Sequence, residues 1–560
     1  MPIRPLFRSF PPVAFALTAL AVAQKPAKEP PPPADPATAR YQECIKRLPF
    51  RFHVDGRETL ARTKTPAALA TLIKDYSTTK AYPEYARYTI ARMFGRFFVD
   101  SEAVPALTAL RAAAQKPVDA WLWTHALTVQ AKKASAESVL PIALQDKNTW
   151  QRAAAMLALG EVSPGLLGQA IAETCRTFPK KEKEADRNLL IGAMSGAIRD
   201  NKGQLGNLEF KLGVAAYIKL LADDVALTHT AKIQIARHLM LVLNGPALFI
   251  NPEPWLELLE RGDVKKPAGG TTVVQPRFFG IESEGERLCY VVDMSDSMCR
   301  DISPGVKPPQ GPLTGPKKKP KGQLLDESDL PWHKIKTRWD LAREQLKISL
   351  LRLTPDKHFS VVWFGSESGT LDSCPGMIKA TAANVKKVVA ELDGIVTGPP
   401  DGDKAPEGTL RGTTNMHSGL RRAFGLTEKG YVDAAAYVDP AALTQGCDTI
   451  FLLSDGAPSW DDFHIKDKDY GEGEVVLDTE YGKKMPRQPE INYHGPYDQP
   501  EWLVADVERM NAFRRIRIHC IGIGEANMAL MRQLADVGYG ETYEMGKKEA
   551  AGAGGGGRQK

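Results

Sequence analysis

The sequence predicts two domains of different class: an all-α domain in the N-terminal half and a doubly wound α/β domain in the C-terminal half. Between residues 41 and 260, apolar residues recur at helical spacing and helix-start signals punctuate them. After residue 280, unbroken apolar runs such as 288–292 and 449–453 alternate with helical segments. Such runs are typical of parallel strands that are buried on both faces. The 560 residues are enough for both cores.

The first 23 residues have the features of a secretory signal peptide. Two arginines precede the apolar run 13–20, and small residues at 21 and 23 precede a cleavage position before Gln24. The apolar run is shorter than the ~20 residues that a membrane-spanning helix needs, so we expect cleavage and no integral membrane segment afterwards. The mature protein is therefore predicted to be secreted or periplasmic. Residues 24–40 are predicted to be an extended, proline-rich linker.

The helical domain is predicted over residues 41–260, with its helices in pairs. The pairs are 65–76 with 83–98, 102–114 with 118–131, 136–144 with 148–160, 163–177 with 184–199, and 208–222 with 227–243. The pair starts are spaced irregularly, near the ~40-residue periods of α-solenoids. Segment 146–160 resembles the second helix of a HEAT-type repeat, with a capping start, small residues and an exit glycine. We predict a HEAT- or armadillo-like domain, although an irregular helical bundle explains the same periodicity.

A glycine- and proline-rich linker is predicted over 261–279, and the α/β domain follows over 280–547. The predicted strands are 287–293, 359–364, 448–454, 516–522 and 541–545. The predicted helices lie near 337–353, 382–393, 416–426, 501–514 and 527–537. The glycine-rich tail, 548–560, is expected to be disordered.

Two insertions, 299–335 and 458–500, are expected to leave the sheet at one edge. The first insertion carries a lysine cluster at 317–321. This cluster would either attract an acidic partner or belong to a flexible loop that is exposed to solvent. The second is rich in aromatic residues, which would either form an interface or fix the loop to its own domain. Its aromatic residues are Trp460, Phe463, Tyr470, Tyr481, Tyr493 and Tyr497.

Hard oxygen donors follow the two apolar strands of the predicted sheet. Asp293, Ser295 and Ser297 come after the first strand, and Asp455 comes after the second. Thr414 lies between them in a glycine-bearing turn that opens a helix. Because ligands of such sheets bind beyond the carboxyl ends of the strands, these side chains are expected to meet. Two carboxylates and three hydroxyls suit Mg²⁺, Mn²⁺ or Ca²⁺ and argue against zinc or copper.

With these motifs in this order, residues 280–547 resemble a von Willebrand factor type A (VWFA) domain with its metal-ion-dependent adhesion site. The DxSxS element is Asp293, Ser295 and Ser297, the threonine element aligns with Thr414, and Asp455 matches the TDG-like element, with Ser454 replacing the usual threonine. The resemblance implies a divalent cation, foremost Mg²⁺, that the three hydroxyls hold directly and the two aspartates hold directly or through water. It also implies one open position for water or for a carboxylate of a protein partner.

One residue departs from the family pattern. Asp296 occupies the position between the two serines where the family usually has glycine. If its carboxylate faced the metal, it would strengthen cation binding and weaken the attraction for an incoming acid. Alternatively, aspartate at this position tolerates a left-handed turn conformation better than bulkier residues do. We favour the turn interpretation.

Enzymatic signatures are absent from the sequence, which contains neither HExxH nor GxSxG. His417 is the one histidine predicted near the ion, and we expect it to face solvent or cap its helix. The sequence therefore predicts a protein that is not an enzyme but an extracytoplasmic adhesion or scaffold protein. An accessory factor that assembles or regulates a partner complex is the alternative, and a metal-assisted hydrolase is a weaker one.

The net charge and the cysteine content narrow the possible classes of protein further. A net charge of +6 over 560 residues gives no reason to expect nucleic-acid binding. The seven cysteines include no CxxC pair, which excludes a zinc ribbon or a disulfide scaffold. A bridge between Cys299 and Cys374, both in predicted loops, is compatible with an oxidising compartment.

Overall fold

The computed structural model describes residues 35–178, 183–246, 248–262, 276–283, 285–302, 325, 327–395, 412–433, 440–467 and 491–545. The predicted signal peptide, most of the first linker and the C-terminal tail lie outside these residues. So do the lysine cluster and two of the aromatic residues of the second insertion, Tyr470 and Tyr481.

The N-terminal region is helical and the C-terminal region is a mixed α/β domain, as predicted. The N-terminal helices are α1 (Pro36–Cys44), α2 (Phe50–Arg62), α3 (Pro66–Thr78), α4 (Pro83–Phe97), α5 (Ala103–Ala113), α6 (Ala120–Lys133), α7 (Leu140–Gln145), α8 (Thr149–Val162), α9 (Pro164–Thr177), α10 (Glu184–Asp200), α11 (Leu208–Lys219), α12 (His229–Leu243) and α13 (Pro252–Arg261). None of the described helices is long and apolar enough to cross a membrane.

The first helix begins inside the segment predicted as linker, which corrects the boundary at residue 40. Helix α1 starts at Pro36, and the Asp35 side chain caps it by accepting hydrogen bonds from the Ala37 and Thr38 amides. Proline is tolerated at the first helical position because its missing N–H would have no helical partner there. Tyr41 of this helix is already buried in the core. Proline-rich composition therefore concealed a properly capped helix.

The helices form two layers in which alternate helices pack side by side. Along one layer α4 packs against α2 and α6, and α8 packs against α6 and α10. Along the other layer α9 packs against α7 and α11, and α11 packs against α13. Within each of these runs, helices that pack side by side are thus two apart along the chain.

The α/β domain is built on a sheet whose order is β13-β12-β9-β3-β4-β5, with β6 also paired to β4. Neighbouring strands run parallel except for the antiparallel β5 and β6. The described strands are β1 (Arg277–Phe278), β2 (Ile281–Glu282), β3 (Arg287–Asp293), β4 (His358–Phe364), β5 (Ser368–Thr370), β6 (Ile378–Lys379), β7 (Leu426–Thr427), β8 (Gly430–Tyr431), β9 (Thr449–Ser454), β10 (Ile465–Asp467), β11 (Ile491–Tyr493), β12 (Arg517–Ile523) and β13 (Thr542–Met545).

Helices cover both faces of this sheet. The helices of this domain are α14 (Arg338–Leu351), α15 (Ala382–Gly394), α16 (Met416–Gly425), α17 (Pro440–Gln445), α18 (Pro500–Asn511) and α19 (Met528–Gly538), of which α17 packs on α10 instead of the sheet. Alternate β3 residues enter two separate cores: Tyr290 and Val292 pack with α14 and α15, whereas Cys289 and Val291 pack with α16, α18 and α19. Burial on both faces explains why β3 and β9 are continuously apolar.

The α/β domain docks on the layer that contains the even-numbered helices. The Tyr88 hydroxyl of α4 donates a hydrogen bond of 2.8 Å to the Ala505 carbonyl of α18. Trp150 of α8 contacts the Phe513 ring edge to face at 5.5 Å. Helix α10 admits the turn after α18 because Gly192 has no side chain, and a Cβ there would lie 2.1 Å from the Phe513 carbonyl oxygen.

The second insertion joins the two domains. Phe463 and Tyr497 are buried in the core formed by the first helices, and the Phe463 ring lies 4.6 Å from that of Tyr85 and 5.0 Å from that of Phe50. Phe463 and Tyr497 thus fix the loop between the two domains, while Trp460 stacks on His464 of the loop itself. An interface with a partner at this loop stays a prediction.

None of the seven cysteines takes part in a disulfide, and all are buried. The bridge considered between Cys299 and Cys374 is not formed. Both side chains pack among apolar residues of one core cluster, where free cysteine behaves as a small hydrophobic side chain.

Candidate metal centre

The two strands that end in acidic residues lie next to each other in the sheet. β3 pairs in parallel with β9, with Val292 opposite Leu453, so Asp293 and Ser454 end their strands side by side. The chain leaves β3 toward β4 on one side, while β9 lies on the other side. The edge between β3 and β9 is therefore the topological switch point, where doubly wound sheets open a crevice for ligands.

Asp293 lies at the bottom of this crevice and is fully buried. Its Oδ1 accepts a hydrogen bond of 2.9 Å from the Ser295 amide, and its Oδ2 accepts one of 2.6 Å from the Ser454 hydroxyl. Burial, followed by the nearby Asp455 carboxylate, raises the pKa of Asp293 to about 7. Two buried carboxylates this close favour any positive charge placed between them.

The two serines of the first motif connect to the second acid. The Oγ atoms of Ser295 and Ser297 are 3.0 Å apart, and the Ser297 hydroxyl donates a hydrogen bond of 2.7 Å to Asp455 Oδ1. Thr414 lies beside the turn after Asp455. The Thr414 Oγ1 is 3.7 Å from the position that a Cβ on Gly456 would occupy. All five residues selected from the sequence thus meet at this edge of the sheet.

The Thr414 turn is held from two sides. The Ser459 hydroxyl accepts a hydrogen bond of 3.1 Å from the Thr414 amide, and the Ser459 amide donates one of 3.0 Å to the Thr414 carbonyl. On the other side, Asp296 Oδ1 accepts a hydrogen bond of 2.7 Å from the Gly412 amide, and the Asp296 amide donates one of 3.1 Å to the Gly412 carbonyl.

These contacts correct the interpretation of Asp296. It is not among the residues with positive φ, so it does not serve a left-handed turn; in this pair of segments Gly412 has the positive φ, at 84°. Asp296 instead uses its carboxylate to join the DxSxS segment to the threonine turn. Ser459 and Asp296 therefore position Thr414. Ser459 bonds to Thr414, and Asp296 bonds to Gly412. Because the bonded residues are far apart in the sequence, the motifs do not reveal these contacts.

Arg338 is the residue that sequence reasoning missed at this site. Its Nη1 lies 2.7 Å from Asp455 Oδ2, and both side chains are at least 96% buried. Its Nη2 lies 3.5 Å from the exposed Glu525. Arg338 is the first residue of α14, whose start is fixed by a capping box between Thr337 and Asp340. That capping box is readable in the sequence and could have placed Arg338 near the crevice.

The residues present fit a hard divalent cation. All the donors are oxygen atoms, three of them neutral hydroxyls, as such ions prefer. Adjacent ligands of an octahedral Mg²⁺ are ~2.9 Å apart, as the ~2.1 Å metal–oxygen distance requires. The observed separations of 3.0 Å between the two serine hydroxyls and 2.7 Å between Ser297 and Asp455 are close to this value. Arg338 contacts only Oδ2 of Asp455, so Oδ1 stays directed toward the hydroxyls.

His417 does not face solvent or cap its helix, contrary to expectation. It is fully buried, its Nε2 lies 2.8 Å from Asp506 Oδ2, and its ring stacks on Tyr497 at 4.1 Å. Burial opposes ionisation of Asp506, but Arg509 and His417 outweigh it and lower the pKa of Asp506 to about 2. The histidine belongs to a structural ion cluster between α16 and α18.

Comparisons with known proteins add little to this description. No protein-family profile matches the chain, and no curated protein sequence matches it. Thirteen chains of solved structures match. One is a von Willebrand factor type A from Catenulispora acidiphila, which is 14% identical, with 47% of this chain and 39% of that chain covered and a TM-score of 0.25. The chain thus spans about two fifths of that protein's length.

Proposed function

We propose that this protein is an extracytoplasmic, non-enzymatic binding protein that engages a carboxylate of a protein partner through a divalent cation. The cation would be held by Ser295, Ser297 and Thr414 together with Asp293 and Asp455 in a VWFA-like domain. The observation that carries the proposal is the convergence of three hydroxyls and two carboxylates at the switch point of the sheet.

The donor set favours binding over catalysis. Neutral hydroxyls leave most of the charge of a bound cation available to an incoming acid. Hydrolysis would also require a base or nucleophile beside the ion. His417 is fully buried against Asp506 and Tyr497, so it does not face the water that a hydrolase would have to activate.

The helical region supports a scaffold role. Its two-layered stacking agrees with a HEAT-like repeat. The layer that contains the even-numbered helices contacts the α/β domain. We infer that the two domains act as one body that presents the cation edge in a fixed orientation. A factor that assembles or regulates a partner complex is the second candidate, because two surfaces in a fixed relation could hold two partners together.

Cation binding is tested by calorimetry of the mature protein with Mg²⁺ and Mn²⁺. Thr414→Val keeps the side-chain shape and removes one hydroxyl, and we expect at least a tenfold loss of affinity. Thr413→Val is the matched control, because the Thr413 hydroxyl bonds to Ser366 rather than to the centre. Asp455→Asn is expected to reduce affinity more strongly. A wild-type protein that binds neither ion would overturn the proposal.

Partner binding is tested by capture from the extracytoplasmic fraction with Mg²⁺ or with a chelator. Adhesion predicts partners that are lost on chelation and with Thr414→Val but kept with Thr413→Val. Capture that survives chelation contradicts the cation-mediated contact. Turnover of generic ester or phosphate substrates that depends on Asp455 would favour the hydrolase instead. Export is checked separately, by N-terminal sequencing for cleavage before Gln24.

A further inference from the structure

A partly enclosed cavity lies at the seam between the two domains, at the opposite end of the sheet from the candidate metal centre. It has a volume of about 50 Å³ and lies between α10, α12 and the amino ends of β9 and β12. Asp448, which precedes β9, and Arg517, which begins β12, are part of its wall. None of its lining residues belongs to the proposed cation site.

The wall of this cavity is strongly basic. Its arginines are Arg199, Arg237, Arg514, Arg515 and Arg517. The side chains of Arg199, Arg515 and Arg237 are only 2%, 10% and 11% exposed. Guanidinium groups taken out of water at this density require compensating negative charge.

The described carboxylates within ion-pair distance do not balance these arginines. Asp448 lies 3.0 Å from Arg237. Asp200, which is half-exposed, lies 3.6 Å from Arg515 and 3.7 Å from Arg199. Arg514 donates instead to two backbone carbonyls, those of Phe424 and Cys447. Two carboxylates thus pair with three arginines, Arg199, Arg237 and Arg515.

Several guanidinium nitrogens also lack a hydrogen-bond partner among the described residues. They are Nε and Nη2 of Arg237, Nε of Arg199 and Nε of Arg515. Leaving a buried charged donor unsatisfied costs more than a neutral hydrogen bond contributes. An arrangement with several such donors around one cavity indicates a missing acceptor.

The electrostatic state of neighbouring groups agrees with a positive potential in the cavity. His238, which lines it, is buried, and burial together with Arg199 and Arg515 lowers its pKa to about 3. Burial and Arg515 lower the pKa of Arg199 to about 10. Both shifts have the direction that excess positive charge produces.

We propose that this cavity binds a small tetrahedral oxyanion of the phosphate or sulfate class, which neutralises the arginines and links α10 and α12 to the α/β domain. Arginine suits this role because its planar fork of N–H donors matches the oxygens of such anions. The volume corresponds to a few water molecules, which is enough for a free oxyanion and too small for a nucleotide or a phosphopeptide. The proposal is independent of the proposed cation-dependent function.

The test is thermal unfolding and calorimetry of the full chain with inorganic phosphate, sulfate or chloride at equal ionic strength. Phosphate or sulfate at ~10 mM is expected to raise Tm by about 2 °C or more over chloride, as preferential binding to the folded state requires. Phenyl phosphate, whose ring has little room in a cavity of about 50 Å³, is expected to give a smaller rise than phosphate. Equal stabilisation by all the anions, or none by phosphate and sulfate, would overturn the proposal.

Substitutions of the cavity arginines test whether the oxyanion binds in this cavity. Arg237→Gln and Arg199→Gln are each expected to weaken oxyanion binding at least tenfold. Arg176→Gln removes the same charge from an exposed position on α9 and should retain the wild-type affinity. Should Arg237→Gln fail to fold, Arg237→Lys keeps the charge beside Asp448 with fewer donors and should still weaken binding. Unchanged affinity in the cavity variants would show that the anion binds elsewhere and would refute the assignment.

Discussion

Arg338 sets the charge of the candidate metal centre at the scale of single residues. Its guanidinium pairs with one oxygen of Asp455 in a buried position, so it already provides part of the positive charge that the two acids require. In the proposed site, a bound cation would therefore share Asp455 with Arg338. This arrangement limits how strongly the acid can hold the ion, while it stabilises the cation-free protein.

Replacing Arg338 should separate these two effects. Arg338→Met leaves a buried carboxylate unpaired, so without divalent ions the protein should lose about 3 kcal/mol of unfolding free energy. The same change should increase Mg²⁺ affinity, because Asp455 no longer contacts a competing cation. Urea unfolding with chelator and calorimetry with Mg²⁺ measure the two quantities.

The control for this prediction is Arg300→Met. Arg300 lies 3.3 Å from Glu525, which Arg338 also approaches, but it is largely exposed and Asp455 is not its partner. The Arg300→Met substitution should leave both the unfolding free energy and the Mg²⁺ affinity nearly unchanged. Similar behaviour of the two variants would mean that the Arg338–Asp455 pair has no special role.

At the scale of secondary-structure elements, one face of α10 decides how the domains dock. Gly192 and Gly196 lie four residues apart on this helix, and the turn after α18 occupies the space that their side chains would need. At Gly192 the obstructing atom is a backbone carbonyl oxygen, which cannot move as a flexible side chain can. The glycines cost helix propensity and in return allow close contact between the domains.

Gly192→Ala should therefore destabilise the protein by about 2 kcal/mol or more, through overpacking at the interface. Gly165→Ala is the matched control: it also lies in a helix, α9, but the atom nearest to its Cβ is 3.7 Å away. That change should be neutral or stabilising by up to ~1 kcal/mol. Chemical denaturation measures both, and limited proteolysis reports whether the domains separate. Equal effects of the two substitutions would contradict the close docking.

Most elements were predictable from the sequence because local signals determine them. Strands β3, β4, β9, β12 and β13 lie within one residue of their predicted positions, since buried parallel strands are apolar runs bounded by turn residues. The short strands β5 and β6 were not predicted, because pairing with the β4 edge rather than their own composition makes them strands.

At the scale of the whole molecule, buried neutral histidines make stability depend on pH. Burial, with Arg517 nearby, lowers the pKa of His519 to about 3, and its Nδ1 accepts a hydrogen bond from the Glu541 amide, which requires the unprotonated form. Burial similarly lowers the pKa of His125 to about 4. The unfolded chain protonates such histidines near pH 6.5, whereas the folded protein does not.

The contribution of these histidines to stability should thus be complete above about pH 6.5 and fall as the pH drops toward 4, by up to about 1.4 kcal/mol per pH unit for each of them. His519→Gln should reduce this slope, whereas His333→Gln, at an exposed position, should not. Urea unfolding between pH 7.5 and 4.5 measures the slopes. Equal slopes for the wild type and His519→Gln would show that this ring is protonated in the folded protein or accessible to solvent.

The sequence by itself determined the class of each half of the chain, the positions of the long elements and the identity of the oxygen donors. Those properties follow from local periodicity and from the rule that parallel strands end at a common edge. Only the tertiary structure revealed that Arg338 pairs with Asp455, that Asp296 holds the Thr414 turn, and that the aromatic insertion joins the domains. It alone assembled the arginine-lined cavity. Each of these contacts joins residues from separate elements, so no local pattern along the chain could specify them.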